Sequence, residues 1–187
     1  ALIDQFLQGY YGPAAPHLRE YLEVINDAGE RSEKYLRCFM PDTSAWLALD
    51  DLNRATELFA KAEAAVAGDA TLAARVRRER LPLDHVWLSR YGALKRSAQL
   101  QGKPFRGPND PQAACKEFVR VCRDSGVGNW RERHPFAERA EMLQRKHGPP
   151  ATPPKQAEGV HQSDWLDCQD GEFRLARAGE WAELTDD

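Results

Sequence analysis

The chain has 187 residues, enough for one ordinary domain with a true core, or one domain and part of the next. Its 42% hydrophobic and 29% charged residues fit a folded globular protein better than a disordered or membrane-embedded one. A formal net charge of −3 with both signs interspersed speaks against nucleic acid as a partner, and no apolar run approaches the roughly 20 residues that span a bilayer.

The chain opens on Ala1-Leu2-Ile3-Asp4, with no initiator Met and no leader, so its start reads as a domain boundary. Leu2, Ile3, Phe6 and Leu7 recur at helical spacing as far as Gly9. After Tyr10-Tyr11-Gly12 a second helix is expected over about 13 to 28. Its buried stripe is Ala14, Leu18, Tyr21, Leu22 and Ile25, and Asn26 to Gly29 supplies the stop. Residues 30 to 43 are charged and break at Pro41-Asp42-Thr43, a connector that ends on an N-cap signal.

In the next helix Leu52, Ala55, Leu58, Phe59, Ala62 and Val66 form a seam, with Gly68 where a left-handed cap is wanted and Asp69 capping the next start. From Leu72 the stripe continues through Val76, Leu83, Trp87, Tyr91, Leu94 and Ala98. Pro82 predicts a kink between about 78 and 82, or two helices in place of one. Residues 102 to 109 must be loop, and Asp110-Pro111 opens a helix that buries Cys115, Phe118, Val119 and Cys122 until Gly126. A last helix runs from Pro135 to about Lys146.

The fold expected is therefore mainly α, a bundle or array of five or six helices over residues 1–147. Residues 148–160 follow as a proline-rich linker, with Pro149-Pro150 and Pro153-Pro154. Residues 161–187 carry short runs of partial period two, Trp165 to Cys168, Glu172 to Ala176 and Trp181 to Leu184, and read as a strand tail that either leans on the helices or opens a truncated β-domain such as a β-sandwich.

Little in the chain points to chemistry. Cys38, Cys115, Cys122 and Cys168 show no C-x-x-C spacing. Cys115 and Cys122 would lie on one helix face about 10 Å apart, too far for a direct bridge, and read as core residues. Asp84 and His85, as sequence neighbours, point to different sides of a helix and are not a dyad by spacing. His17, His134, His147 and His161 have no metal-ligand spacing, so no metal site is expected. Arg75, Arg77, Arg78 and Arg80 wind around a helix and read as a salt-bridged surface. The glycines match no phosphate-binding pattern, and no cofactor is expected. Among the aromatic residues Tyr10 and Tyr11 are the candidates for contact with a sugar ring, because a helix break can present them to a neighbour.

Two blocks carry a resemblance. Phe6-x-x-x-Tyr10-Tyr11-Gly12-x-Ala14-Ala15 with Tyr21-Leu22 resembles the segment after the barrel in the bacterial family known as domain of unknown function 4838. Leu52-x-x-Ala55-x-x-Leu58-Phe59-x-x-Ala62-Glu63, then Arg75-Val76 and Arg80-Leu81-Pro82-Leu83-x-x-Val86-Trp87-Leu88, is similar to that family's helical continuation. The likeness covers about residues 1 to 95, half the chain.

It implies a glycoside hydrolase-like parent similar to the α-glucuronidases, with a catalytic barrel upstream as partner in the same chain and a glycan as its substrate. It also implies an exported parent. Barrel enzymes place their two acids on strand-end loops, so the resemblance transfers no catalytic residue to this sequence. The rival expectation is a free-standing helical module that pairs with another protein or with itself.

Overall fold

A computed structural model describes residues 2–36 and 42–148. Contacts divide the chain into Ala1–His147 and Gly148–Asp187. The linker and strand tail expected over 148–160 and 161–187 lie outside the described residues except for Gly148, as do Cys38 and Cys168.

The described residues are mainly α-helical, with a small antiparallel hairpin before the last helix. Helix α1, Leu2–Tyr11, passes straight through Gly9 and ends at Gly12. A glycine inside a helix costs about 1 kcal/mol, and the burial of Tyr11 beyond it outweighs that. Gly12 has a positive φ of 54°, and a Cβ there would meet Leu72 Cδ1 at 3.1 Å, so glycine suits both the turn and the packing.

A 3-10 turn, Gly12–Ala14, leads into α2, Ala15–Arg31, which runs past the expected stop at Gly29. Ala28 is fully buried on the inner side, and this packing holds the last turn. Pro13 and Pro16 stand in first turns, where a missing N–H leaves no intrahelical bond unmade.

Helix α3, Leu49–Ala65, starts five residues later than an N-cap at Thr43 would give. Asp42 and Thr43 close a local turn instead: the Ser44 N–H donates to Asp42 Oδ1 at 2.8 Å and the Leu47 N–H to the Thr43 carbonyl at 2.9 Å. At the true start Ala48 has no side chain to offer. Asp51 reaches back to accept from the Ala48 N–H at 3.0 Å and also takes Arg31 Nη2 at 2.6 Å, tying the end of α2 to the head of α3.

Gly68 is not left-handed, in contrast to the expectation; the Asp69 N–H closes a turn onto the Val66 carbonyl at 2.9 Å. Asp69 caps α4, Ala70–Glu79, as read, accepting from the Thr71 and Leu72 amides.

The run from Leu72 to Ala98 is three helices, α4, α5 (Leu81–Ser89) and α6 (Tyr91–Gln101), which carries the chain past the five or six helices expected. Pro82 falls in the first turn of α5, so of the two expectations there, a kink or a second helix, the structure has the second helix. The second break, at Arg90, has no proline to announce it; Arg90 Nη1 is drawn instead to the Leu47 carbonyl at 2.8 Å.

Gly102, in the left-handed region, ends α6. Helix α7, Pro111–Asp124, begins at the Asp110 cap and stops at Gly126, whose φ is +70°. Strands β1 (Asn129–Arg131) and β2 (His134–Pro135) then pair, and α8 is Phe136–His147.

Two hydrophobic cores result. The first gathers Leu7, Leu18, Leu52, Phe59, Val76, Trp87 and Leu94 from α1 to α6, with α2 lying along α3. The second gathers Leu81, Leu88, Phe118, Val119, Phe136 and Leu143 from α5, α7 and α8.

Candidate functional site

Tyr10 and Tyr11 end α1 and have different fates. Adjacent residues stand about 100° apart around a helix, so one faces in and the other out. Tyr11 is 5% exposed, and its hydroxyl donates to Glu79 Oε2 on α4 at 2.6 Å. Burial and the Glu79 carboxylate push its phenol well above the ordinary value. Tyr10 is 37% exposed. Its ring stacks on Phe6 with centroids 5.4 Å apart and lies under the Arg75 guanidinium at 4.3 Å, while Arg75 Nη1 donates to the Tyr10 carbonyl at 2.7 Å.

The two rings meet edge to face at 4.9 Å. The helix end therefore presents Tyr10 and spends Tyr11 on the core.

Beside them runs an apolar groove of about 450 Å³ along α1 and α2, lined by Leu2, Ile3, Phe6, Leu7, Tyr21 and Leu22. Leu2, Ile3 and Phe6 are 81%, 56% and 59% exposed on its outer lip. Glu79 is the carboxylate that lines this groove, and Tyr11 already donates to it. Glycosidic cleavage needs a second acid facing the first across the bond, and the residues lining the groove do not supply one.

Asp84 and His85 separate as their spacing predicts. Asp84 turns toward Arg77 and Arg80, accepting from Arg80 Nε at 3.0 Å. His85 turns toward α8, where its Nε2 accepts from Arg139 Nε at 2.8 Å, which fixes the neutral tautomer with the proton on Nδ1. Burial, aided by the Arg139 charge, brings His85 down to about 4.

The Arg75–Arg80 cluster is largely paired. Arg77 meets Asp84, and Arg80 lies between Asp84 and Glu63, with both Glu63 oxygens 3.2 Å from its Nη1. Burial opposes the Arg80 charge, and the two carboxylates outweigh it.

These charges line a cleft of about 600 Å³ whose far wall, Arg106 to Asn109, the sequence reading leaves as plain loop. Asn53 holds that wall: its Nδ2 donates to the Pro104 carbonyl at 2.7 Å and its Oδ1 accepts from the Arg106 N–H at 3.0 Å. A buried polar residue beside Leu52 in the first half of α3 is the feature that holds the wall, and nothing in the apolar spacing marks it. Arg106 is paired in turn with Glu57 at 2.7 Å. With each guanidinium already matched to a carboxylate, the cleft clamps α3, α4 and α5 together and offers no isolated acid for proton transfer.

Cys115 and Cys122 are buried and reduced. Burial raises both thiols, Cys122 to about 11, which leaves them poor nucleophiles. Among the described residues no group of three or more His, Cys, Asp or Glu is gathered to hold a metal ion, and no helix is long and apolar enough to cross a membrane. No family model, curated protein or solved structure matches the chain.

Proposed function

We propose that residues 1–147 form a non-catalytic helical domain of a glycoside hydrolase-like, carbohydrate-active protein, packing through the outer face of α1 against a catalytic barrel in the same chain. The exposed lip of Leu2, Ile3 and Phe6 carries this reading. An apolar strip continuous with a groove is costly to leave in water and marks a docking surface. The two sequence blocks that resemble the barrel-linked family support a barrel as the partner. Tyr10, with its ring on the same helix and exposed, is the residue that would meet a sugar at the rim of the glycan cleft; Tyr11 supports it from the core.

Hydrogen exchange tests the docking. The amides of residues 2–7 should exchange more slowly in the barrel-bearing protein than in the 187-residue chain; equal rates would overturn it. Hydrolysis of a glycoside by the isolated chain at an enzyme-like rate would overturn the non-catalytic assignment. Pairing of two copies through this same face is the rival, and a concentration-dependent dimer abolished by Phe6→Asp would favour it.

A further inference from the structure

We propose that the corner formed by Trp130, Arg131 and Arg139 is a binding site for a small oxyanion, a carboxylate or a phosphoryl group. It lies at the hairpin and α8, away from the groove and the cleft. Arg131 holds its guanidinium 4.5 Å from the centre of the Trp130 ring, and Arg139 holds its own 5.1 Å from the same centre. Two cations thus share one indole.

The polar partners of Arg139 are both neutral: its Nε donates to His85 Nε2 at 2.8 Å and its Nη2 to Ser89 Oγ at 2.7 Å. Elsewhere Arg54, Arg77, Arg80, Arg106 and Arg120 all meet a carboxylate. Among the described residues no carboxylate lies within ion-pair distance of Arg131 or Arg139. Arg139 is half-buried, and a guanidinium removed from water without a counter-ion is unfavourable. Desolvation, then the nearby Arg131 charge, weakens its hold on a proton.

The geometry answers what would relieve this. A guanidinium presents a planar fork of donors that fits two oxygens of a carboxylate or phosphate. The bonds to His85 and Ser89 fix the orientation of Arg139 before anything binds, so little ordering is needed on arrival. Arg131 is exposed on β1 and free to swing onto the same anion. The Trp130 ring walls the site and reports on it.

The test follows the indole N–H of Trp130, assigned with Trp130→Phe, by NMR in the full 187-residue chain at constant ionic strength. Sodium phosphate and sodium acetate are titrated against sodium chloride. At least one oxyanion should give a saturable shift that chloride does not reproduce, and Arg131→Gln should weaken it about tenfold with an unchanged melting temperature. Arg131→Lys should restore part of the affinity. Saturation by phosphate alone assigns a phosphoryl ligand, by acetate alone a carboxylate, and by both either group. The absence of saturation with both anions, or equal affinity in Arg131→Gln and the parent, overturns the site.

Discussion

The two cores share one helix and are closed by different means. α5 sends Leu83 and Trp87 into the first core and Leu81 and Leu88 into the second. The first core draws on α1 to α6, and its largest residue, Trp87, is tied by its indole N–H to Thr56 Oγ1 at 2.9 Å. The second draws on fewer helices and is sealed at its edge by polar contacts: Arg139 to His85 and Ser89, Lys146 Nζ to the Ser89 carbonyl at 3.0 Å, and His147 Nε2 to the Leu88 carbonyl at 2.7 Å. Carboxylate pairs also tie the helices of the first core, but the second alone rests on a buried neutral imidazole, His85. Salt and heat should act on both, but acid should single out the second.

The largest effect expected is from Trp87→Ala, which removes the biggest fully buried side chain and its hydrogen bond to Thr56 Oγ1. We expect a loss of about 4 kcal/mol in urea denaturation. Because α5 is common to both cores, signals from α2 and from α7 should melt together. Separate midpoints would break the picture of a shared helix.

Acid comes next. The folded chain holds His85 neutral down to about 4, while the unfolded chain takes up that proton near 6.5. A histidine with a depressed folded value stabilises above its unfolded value, and this is lost as pH falls from 6.5 toward 4, after which the curve levels. The loss is about 3 kcal/mol. It should be seen first as loosening of α8, because protonated His85 can no longer accept from Arg139. His85→Gln, whose Oε1 can still accept, should flatten the pH dependence of the melting temperature across that window. A slope unchanged by the substitution would assign the acid sensitivity elsewhere.

The contrast between the cores follows what was legible in the sequence. Asp69, Asp110-Pro111 and Gly126 mark α4 and α7 because capping is local and leaves its signature within a few residues. The seam Leu52, Ala55, Phe59 and Ala62 was legible because one side of α3 is buried throughout. The break between α5 and α6 was not legible: α5 is apolar toward two cores at once, so it shows no single stripe, and its end at Arg90 depends on the distant Leu47 carbonyl.

The hairpin was missed because strands of three and two residues are too short to show an alternation. Of the two candidate tyrosines, the sequence could place both at a helix end, but which one faces water depends on the packing of α4 against α1 through Glu79. The charged cleft was the least legible feature, since Asn53 meets Pro104 and Arg106 across about fifty residues of chain.

Gly107 sharpens that last point. A Cβ there would lie 2.5 Å from Phe105 Cζ and 2.7 Å from Trp87 Cε3, closer than packed atoms tolerate. Gly107→Ala should therefore push the loop off the first core, costing about 2 kcal/mol and freeing the Asn53 bonds. Proteolytic cleavage in the 102–109 loop should speed up with it. If stability and cleavage stay as in the parent, the loop is not seated on Trp87 as described.

The smallest effect tests the hairpin beside the second core. Arg133 turns the chain between β1 and β2 with a φ of +59°, a region where a side chain costs about 1–2 kcal/mol. Glycine removes that cost, but it also frees the unfolded chain, which takes back about 0.5–1 kcal/mol. Arg133→Gly should thus be stabilising by about 0.5–1 kcal/mol, read as a small rise in melting temperature. The gain should appear only if the hairpin folds with α7 and α8. If it forms and frays independently of them, relieving its turn leaves the global midpoint where it was, and Trp130 of β1 is no fixed neighbour of the second core.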